Sequence, residues 1–366
     1  MRILIATGIF PPDIGGPATY SKILADELPK RGVGVEILSF GSVRGLPKII
    51  RHLVYFFKVF WRARHADVIF AQDPVSVGLP AYFVALILKK LFVLKVVGDY
   101  AWEQGVNRFG VKDLLGDFLH KKYDWRIEFL RFIERFVAKS AKVIIVPSDY
   151  LKSVVKKWGV RAEKIHVIYN AVSIPEISKN KEELRQELNL SGKVLVSVGR
   201  LVSWKGFEML IELMPEVSKK YPDAQLLIIG SGPEEKTLNA KSYQLKTNVR
   251  FLGSLTHDQV LKYLKTADVF LLNTGYEGFS HQILEAMAVG APAICTHSGG
   301  NREILKDRQN SLVAGYNDKE AWLSAIFELL GRPALVKKLS ENAKKDIQKF
   351  TGQNMIDKTV EVLKSL

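Results

Sequence analysis

Two cations five residues apart, Arg200 and Lys205, stand between glycines in Gly199-Arg200-Leu201-Val202-Ser203-Trp204-Lys205-Gly206, after a β-branched apolar stretch and before an amphipathic one. A strand-to-helix junction already offers an anion backbone N–H groups and a helix dipole, and the two side chains add charge-assisted donors, so the run suits a diphosphate. A solvated surface pair is the plain alternative. The next such loop, Gly230-Ser231-Gly232-Pro233-Glu234-Glu235, is a weaker signal. It lacks the third glycine of a dinucleotide fingerprint, and no matching ribose acid follows, which disfavours a nicotinamide-dependent dehydrogenase. A tight turn with Pro233 opening a helix explains it equally well.

Carboxylates mark the later loops. In Asn273-Thr274-Gly275-Tyr276-Glu277-Gly278-Phe279-Ser280-His281-Gln282-Ile283-Leu284-Glu285-Ala286-Met287, Glu277 sits beside a glycine and Glu285 among apolar neighbours that imply burial. A buried carboxylate must be paired or hydrogen-bonded, and sugar hydroxyls are natural donors to it; a capping Glu with an internal ion pair is the structural alternative. Ser298-Gly299-Gly300-Asn301-Arg302-Glu303 repeats the anion-binding shape at another helix start. In the first half, Gly98-Asp99-Tyr100-Ala101-Trp102-Glu103 sets Asp99 just past an apolar run, where it either faces a ligand or bonds its own backbone as a turn former. Tyr100, Trp102 and Trp125 either line a carbohydrate or lipid groove or fill space. Seven histidines lack metal-ligand spacing, and the single cysteine, Cys295, lies in an apolar run and reads as core.

Such loops need a scaffold that ends several strands side by side. Short β-branched runs alternate with longer amphipathic ones: Arg2 to Ala6, Val33 to Ser39, Val68 to Ala71, Phe92 to Val97, Val143 to Pro147 and His166 to Tyr169 in the first half. The second half has Lys193 to Val198, Ala224 to Ile229, Val249 to Leu252, Val269 to Leu272, Pro292 to Cys295 and Ser311 to Val313. This is the pattern of β-α units around parallel sheets, and two sets of six strands predict two doubly wound α/β domains. The linker is expected in Asn170 to Pro175, with domains at 1–173 and 174–350 and a final helix at 351–366 that packs back toward the first domain.

Composition narrows the class. At 366 residues, 47% hydrophobic and 25% charged, the chain matches an ordinary globular protein of about two domains. One cysteine excludes an intramolecular disulfide and fits a reducing, cytoplasmic setting. The opening run reads as a first strand and not a signal peptide. Pro74 to Leu88 is too short to span a membrane and reads as a buried helix. Net charge is +15, of which +12 falls in residues 1–173 (27 Lys+Arg against 15 Asp+Glu) and +3 in residues 174–366 (26 against 23). Arg44 to Arg64 carries six basic residues and no acid among aromatic and aliphatic ones, the composition of a basic amphipathic helix at an anionic membrane surface or of a packed helix with a wet cationic face.

The ordered series VGRLVSWKG, GSGPEE, VRFLG, EGFSHQILEAM and SGGNRE, with the N-terminal FPPDIGGPATY, resembles the retaining glycosyltransferases of family 4 (glycosyl transferases group 1), which have the GT-B fold. That resemblance implies two Rossmann-like domains facing across a cleft, the second binding a UDP- or GDP-linked sugar and the first a glycan or lipid-linked acceptor of cell-envelope or polysaccharide biosynthesis. It gives Arg200 and Lys205 the donor diphosphate and its leaving charge, Glu277 the donor sugar, and Glu285 the ribose hydroxyls. Gly199, Gly232, Gly278 and the main chain of Phe279 and Ser280 would border the phosphates, Phe251 and Leu252 the base, and Gly15 and Gly16 would let the first domain's backbone approach the diphosphate. Asp99 stands where the family often has a histidine, so its catalytic part is the loosest of these. Fixed cations and the lack of an Asp-x-Asp motif imply that neither metal nor cofactor is required. Expected partners are the donor, the acceptor and, through Arg44 to Arg64, the inner face of an anionic membrane, with no nucleic acid. A basic nucleic-acid-binding protein and a catalytically silent descendant of the fold remain as alternatives.

Overall fold

The structure is a computed structural model that describes residues 1–13, 15–172 and 177–366; the expected boundary between residues 173 and 174 lies outside the described residues. Two compact units emerge, unit 1 comprising Met1–Ala171 with Gly352–Leu366 and unit 2 comprising Val172–Thr351. The strands of unit 1 are β1 (Arg2–Thr7), β2 (Gly34–Ser39), β3 (Val68–Ala71), β4 (Leu91–Lys95), β5 (Val143–Val146) and β6 (Ile165–Val167). Unit 2 has β7 (Val194–Val198), β8 (Gln225–Ile229), β9 (Val249–Gly253), β10 (Val269–Leu272), β11 (Ala293–Cys295) and β12 (Leu312–Val313).

The helices of unit 1 are α1 (Gly16–Glu27), α2 (Lys48–Ala63), α3 (Gly78–Ile87), α4 (Tyr100–Phe109), α5 (Leu115–Phe118), α6 (Trp125–Ser140) and α7 (Asp149–Lys157). Those of unit 2 are α8 (Lys181–Glu187), α9 (Phe207–Lys220), α10 (Glu235–Gln244), α11 (His257–Thr266), α12 (His281–Val289), α13 (Lys319–Gly331) and α14 (Pro333–Asp346). Finally α15 (Gly352–Lys364) belongs to unit 1.

Both sheets are parallel and six-stranded, ordered β2-β1-β3-β4-β5-β6 and β12-β11-β10-β7-β8-β9. The first strand of each unit lies inside its sheet and the chain winds outward both ways, which is the doubly wound α/β arrangement. Parallel strands covered on both faces need continuous apolar runs, and β3, β5, β7, β8 and β10 are buried at every position. In unit 1, alternate residues Ile3, Ile5, Phe70, Val93 and Ile145 meet Tyr20 and Leu24 of α1 and Met355, Ile356 and Leu363 of α15 in one core cluster. In unit 2, Leu195, Leu226, Ile228 and Leu271 meet Leu210, Met214 and Trp322.

Two helices differ from their sequence reading. The run Pro74 to Leu88 forms α3, but Phe83, Leu86 and Ile87 are 42%, 61% and 57% exposed, so the helix is buried along one side only. Uniform apolarity hides which face packs, and periodicity has nothing to report there. In α2, Tyr55, Val59 and Ala63 are buried while Ile50, Leu53, Phe57 and Trp61 are exposed on the opposite side of the helix. The helix is apolar on two faces and not one. Arg44 precedes it and pairs with Asp13, and Arg62 pairs with Glu36, so part of the cationic excess is met by acids distant in sequence.

Candidate functional site

Ligands of doubly wound sheets lie beyond the carboxyl ends of the strands, and in unit 2 the four adjacent strands β11, β10, β7 and β8 end in the four loops singled out by composition. Backbone bonds lace those loops together. Gly199 N–H donates to Ile229 O at 2.9 Å and Leu201 N–H to Ser231 O at 3.0 Å, tying the β7 loop to the β8 loop. On the other side Gly275 N–H donates to Trp204 O at 2.7 Å, and the buried Asn273 side chain donates to Gly206 O at 3.0 Å. The β11 loop is joined by Ser298 Oγ, which donates to Thr274 O at 2.6 Å, and by Gly300 N–H, which donates to Glu277 O at 3.0 Å. Ser298 therefore locks two loops and does not cap the short 3₁₀ helix Gly299–Glu303 with its side chain.

On this platform the predicted charges meet. Lys205, at the end of the 3₁₀ turn Ser203–Lys205, donates through Nζ to Glu277 Oε1, and the two side chains are only 10% and 15% exposed. Arg200 lies exposed in the same β7 loop. Desolvated charges hold each other here until an anion or a hydroxyl offers a better partner, because in a water-poor setting each must stay matched. A diphosphate competing for Lys205 and a sugar hydroxyl competing for Glu277 would part them together.

Glu285, on the inner side of α12, is 13% exposed and accepts from His257 Nε2 at 3.2 Å. His257 is the first residue of α11, which Thr256 and Gln259 cap reciprocally. That hydrogen bond holds the His257 imidazole above its ordinary range despite burial, which opposes it. Sequence reasoning missed His257, since only the packing of α11 beside α12 brings it to Glu285. We expect Glu285→Gln to lower the His257 titration midpoint, because the carboxylate that favours the imidazolium is gone while burial persists. An NMR pH titration of the histidine ring protons checks this; an unmoved midpoint refutes the pairing.

The remaining residues take different positions. Ser280, 1% exposed, caps α12 by accepting from Ile283 N–H at 3.4 Å, and Phe279, 5% exposed, sets its ring edge-on to Phe350 at 5.4 Å. Their side chains are committed inward, so what they offer a ligand is the start of α12. Gly278 lies in the same loop, while Gly199 and Gly232 lie where the β7 and β8 loops touch. Phe251 pairs with Ile228 on the edge strand β9 and packs on the unit 2 core, and Leu252 falls at a register shift. Gly15 and Gly16 open α1 in unit 1. Cys295 is fully buried, with its thiol pushed far up by burial, as core packing requires.

Asp99 requires a correction. Its side chain caps α4: Oδ1 accepts from Trp102 N–H at 2.8 Å and Oδ2 from Trp158 Nε1 at 3.3 Å, with 1% of the residue exposed. Burial raises its carboxyl above the ordinary range, and raises Glu134 further, whose oxygens take Tyr100 N–H and Ala101 N–H. One Asp99 oxygen holds the start of α4 and the other the Trp158 indole at the end of α7, so the buried side chain has the backbone-bonding role of a cap in this structure. Trp102 is likewise wholly buried, donating to Asp113 O at 2.9 Å, and lines no groove.

Comparison with known proteins agrees with this architecture. The family model described as "Glycosyl transferases group 1" matches residues 179–346, and that described as "Glycosyltransferase Family 4" matches residues 14–175. An uncharacterized glycosyltransferase of Methanocaldococcus jannaschii is 27% identical over all of this chain and 98% of its own length. A phosphatidylinositol N-acetylglucosaminyltransferase subunit of Arabidopsis thaliana is 26% identical over 89% of this chain and 73% of its own. Among solved structures, Anabaena HepE in complex with UDP-glucose superposes with a TM-score of 0.80 at 19% identity, covering 100% of both chains. Sucrose-phosphate synthase from Thermosynechococcus elongatus gives 0.82 at 19%, covering 100% of this chain and 99% of that one.

Proposed function

This chain belongs to glycosyltransferase family 4, with the GT-B fold and a nucleotide sugar as donor, and from that premise we propose that it is a retaining, metal-independent enzyme acting on a glycan or lipid-linked acceptor. The observation that carries the reading is the Lys205–Glu277 contact: a cation and a carboxylate held at one point on loops of neighbouring strands, where the diphosphate and the sugar of one donor molecule would adjoin. Unit 2 supplies the donor site and unit 1 the acceptor site. Glu285 takes the ribose hydroxyls, with His257 holding its carboxylate in place.

In the transfer, the bond between the anomeric carbon and the diphosphate oxygen breaks as the acceptor hydroxyl oxygen bonds to the same face of that carbon. The hydroxyl proton passes to the departing phosphate oxygen, which spares the protein a nucleophile and a base. Negative charge grows on the nucleoside diphosphate, and Lys205 and Arg200, once drawn onto the bound diphosphate, would meet it as fixed cations without further reorganisation. The donor is a UDP- or GDP-linked sugar; the HepE complex holds UDP-glucose, and a Corynebacterium glutamicum relative, 34% identical over 43% of this chain, is named for GDP-mannose. The phosphatidylinositol-directed Arabidopsis relative favours a lipid-linked acceptor.

A thermal-shift screen against nucleotide-diphosphate sugars is expected to single out one donor, and transfer from that donor is expected to persist unchanged in excess EDTA. A flat screen would refute the donor site, and loss of transfer on chelation, restored by a divalent cation, would refute the role given to the two cations.

A further inference from the structure

Exposed large hydrophobic side chains are divided unequally between the units: among the described residues fourteen belong to unit 1 and one, Tyr243, to unit 2. They are not scattered. On α2, Ile50, Leu53, Phe57 and Trp61 recur at helical spacing and are 50% to 61% exposed. On α6, Trp125, Phe129, Phe132 and Phe136 repeat the same three-and-four spacing, with Trp125 at 74%. Between these helices lies α3, which packs beside both and exposes Phe83, Leu86 and Ile87. The Tyr82 and Phe136 rings, 5.5 Å apart, join α3 to α6. Successive crossovers in one direction across the sheet put all three helices on one side of it, so the stripes form one continuous face. An apolar face of this extent on a globular fold marks a docking surface.

Its occupant follows from the charge. Cations are interleaved with the aromatics: the Arg64 guanidinium lies 4.0 Å over the Trp61 ring, and Arg126 lies 5.7 Å over Trp125. Lys89 and Lys90 end the apolar stretch of α3, and Arg135 and Lys139 line a groove on α6 with Phe132, Phe136 and the Arg131–Glu128 ion pair. A second copy would set cationic face on cationic face, which self-repulsion opposes. Tryptophan and arginine around aliphatic and phenyl groups instead match a bilayer interface with negative headgroups, where rings sit at headgroup depth and cations meet phosphate. No helix among the described residues is long and apolar enough to cross a membrane.

We infer that the α2–α3–α6 face of unit 1 rests on an anionic lipid bilayer, with its three apolar stripes in the interface and its cations on the headgroups. The surface extends the basic α2 segment to three helices, and it involves none of the residues assigned to the donor. Its failure would leave the transferase reading intact.

The test is co-sedimentation of the full chain with vesicles of phosphatidylcholine containing about one third phosphatidylglycerol, against pure phosphatidylcholine. Binding is expected to be at least tenfold stronger on the anionic vesicles. Phe57→Glu, Leu86→Glu and Phe132→Glu, one on each helix, are each expected to weaken it at least tenfold, while Tyr243→Glu in unit 2 leaves it unchanged. Because all four positions are exposed, melting curves should match the parent and separate lost binding from lost folding. Equal binding by all variants, loss confined to the α2 variant, or absence of vesicle binding each overturns the inference. So does concentration-dependent dimerisation that Phe132→Glu abolishes, which would assign the face to a second copy, or oligonucleotide binding that competes with vesicles through the same residues.

Discussion

Lys205→Ala is expected to lower kcat/KM for sugar transfer by about two to three orders of magnitude, the size of effect seen when one preorganised group facing a developing anion is removed. The reduction should fall mainly on kcat. In the ground state the diphosphate charge is shared among its oxygens, whereas in the transition state it gathers on the oxygen leaving the sugar, so a fixed cation contributes more there than in the bound donor. Lys205 also holds the Glu277 carboxylate, so its removal leaves an acid only 15% exposed without that partner and disturbs the proposed sugar contact at the same time. Lys205→Arg keeps the charge but not the compact ammonium, and should recover activity only in part. Arg200→Ala, at an exposed position of the same loop, should cost less because solvent already screens that charge. Steady-state kinetics with the donor identified by the thermal-shift screen decide the matter. Full kcat/KM in Lys205→Ala would remove the site assignment, whatever the fold.

The difference between what was readable in the sequence and what was not follows the range of the forces involved. Strands such as Val68–Ala71 and Val269–Leu272 are continuous apolar runs because a parallel sheet covered on both faces demands it, and their bounds were readable to the residue. The four candidate loops stood out for the same local reason, as glycines and charges that interrupt the pattern at strand ends. Their neighbourhood was not: that β7 lies between β8 and β10 is a property of the winding, and the Lys205–Glu277 contact spans 72 residues. Glu285 was readable as a buried acid, but not its partner His257, which sits on an exposed capping sequence with nothing to mark it. Asp99 had two local readings of equal standing, and the choice between them was made by Trp158, 59 residues away, whose indole takes its second oxygen. Helix α3 was misjudged because an all-apolar run carries no phase. Only the packed neighbours show that Phe83, Leu86 and Ile87 face outward.

Gly230→Ala is expected to have the largest effect on stability, and the reason lies in the lacing of the loops. A Cβ built on Gly230 would stand 2.0 Å from Gly199 O and 2.9 Å from Gly199 C, and the backbone there has φ of +132°. Both obstructing atoms are main chain, so no side chain can swing aside. Relief requires Gly230 and the end of β7 to move apart, which strains or breaks the bonds from Gly199 N–H to Ile229 O and from Leu201 N–H to Ser231 O between the two loops and shifts Gly230 N–H from Gly253 O of β9. Each lost pairing in a buried setting costs about 1–3 kcal/mol, and the backbone strain about as much again. The sum exceeds about 4 kcal/mol, a large part of the stability of any domain, and in a unit this size corresponds to a fall in Tm of about 10 °C or more. Gly253→Ala is the internal control. Its φ of +65° lies in the left-handed region, a milder strain for an L residue, and nothing lies within 4 Å of the added Cβ, so its cost should be about 1 kcal/mol. Calorimetric melts of the two variants therefore separate the blocked glycine from the open one. Equal Tm values would mean that the β7 and β8 loops are not held together as described, and the rigid support beneath Arg200 and Lys205 would fail with them.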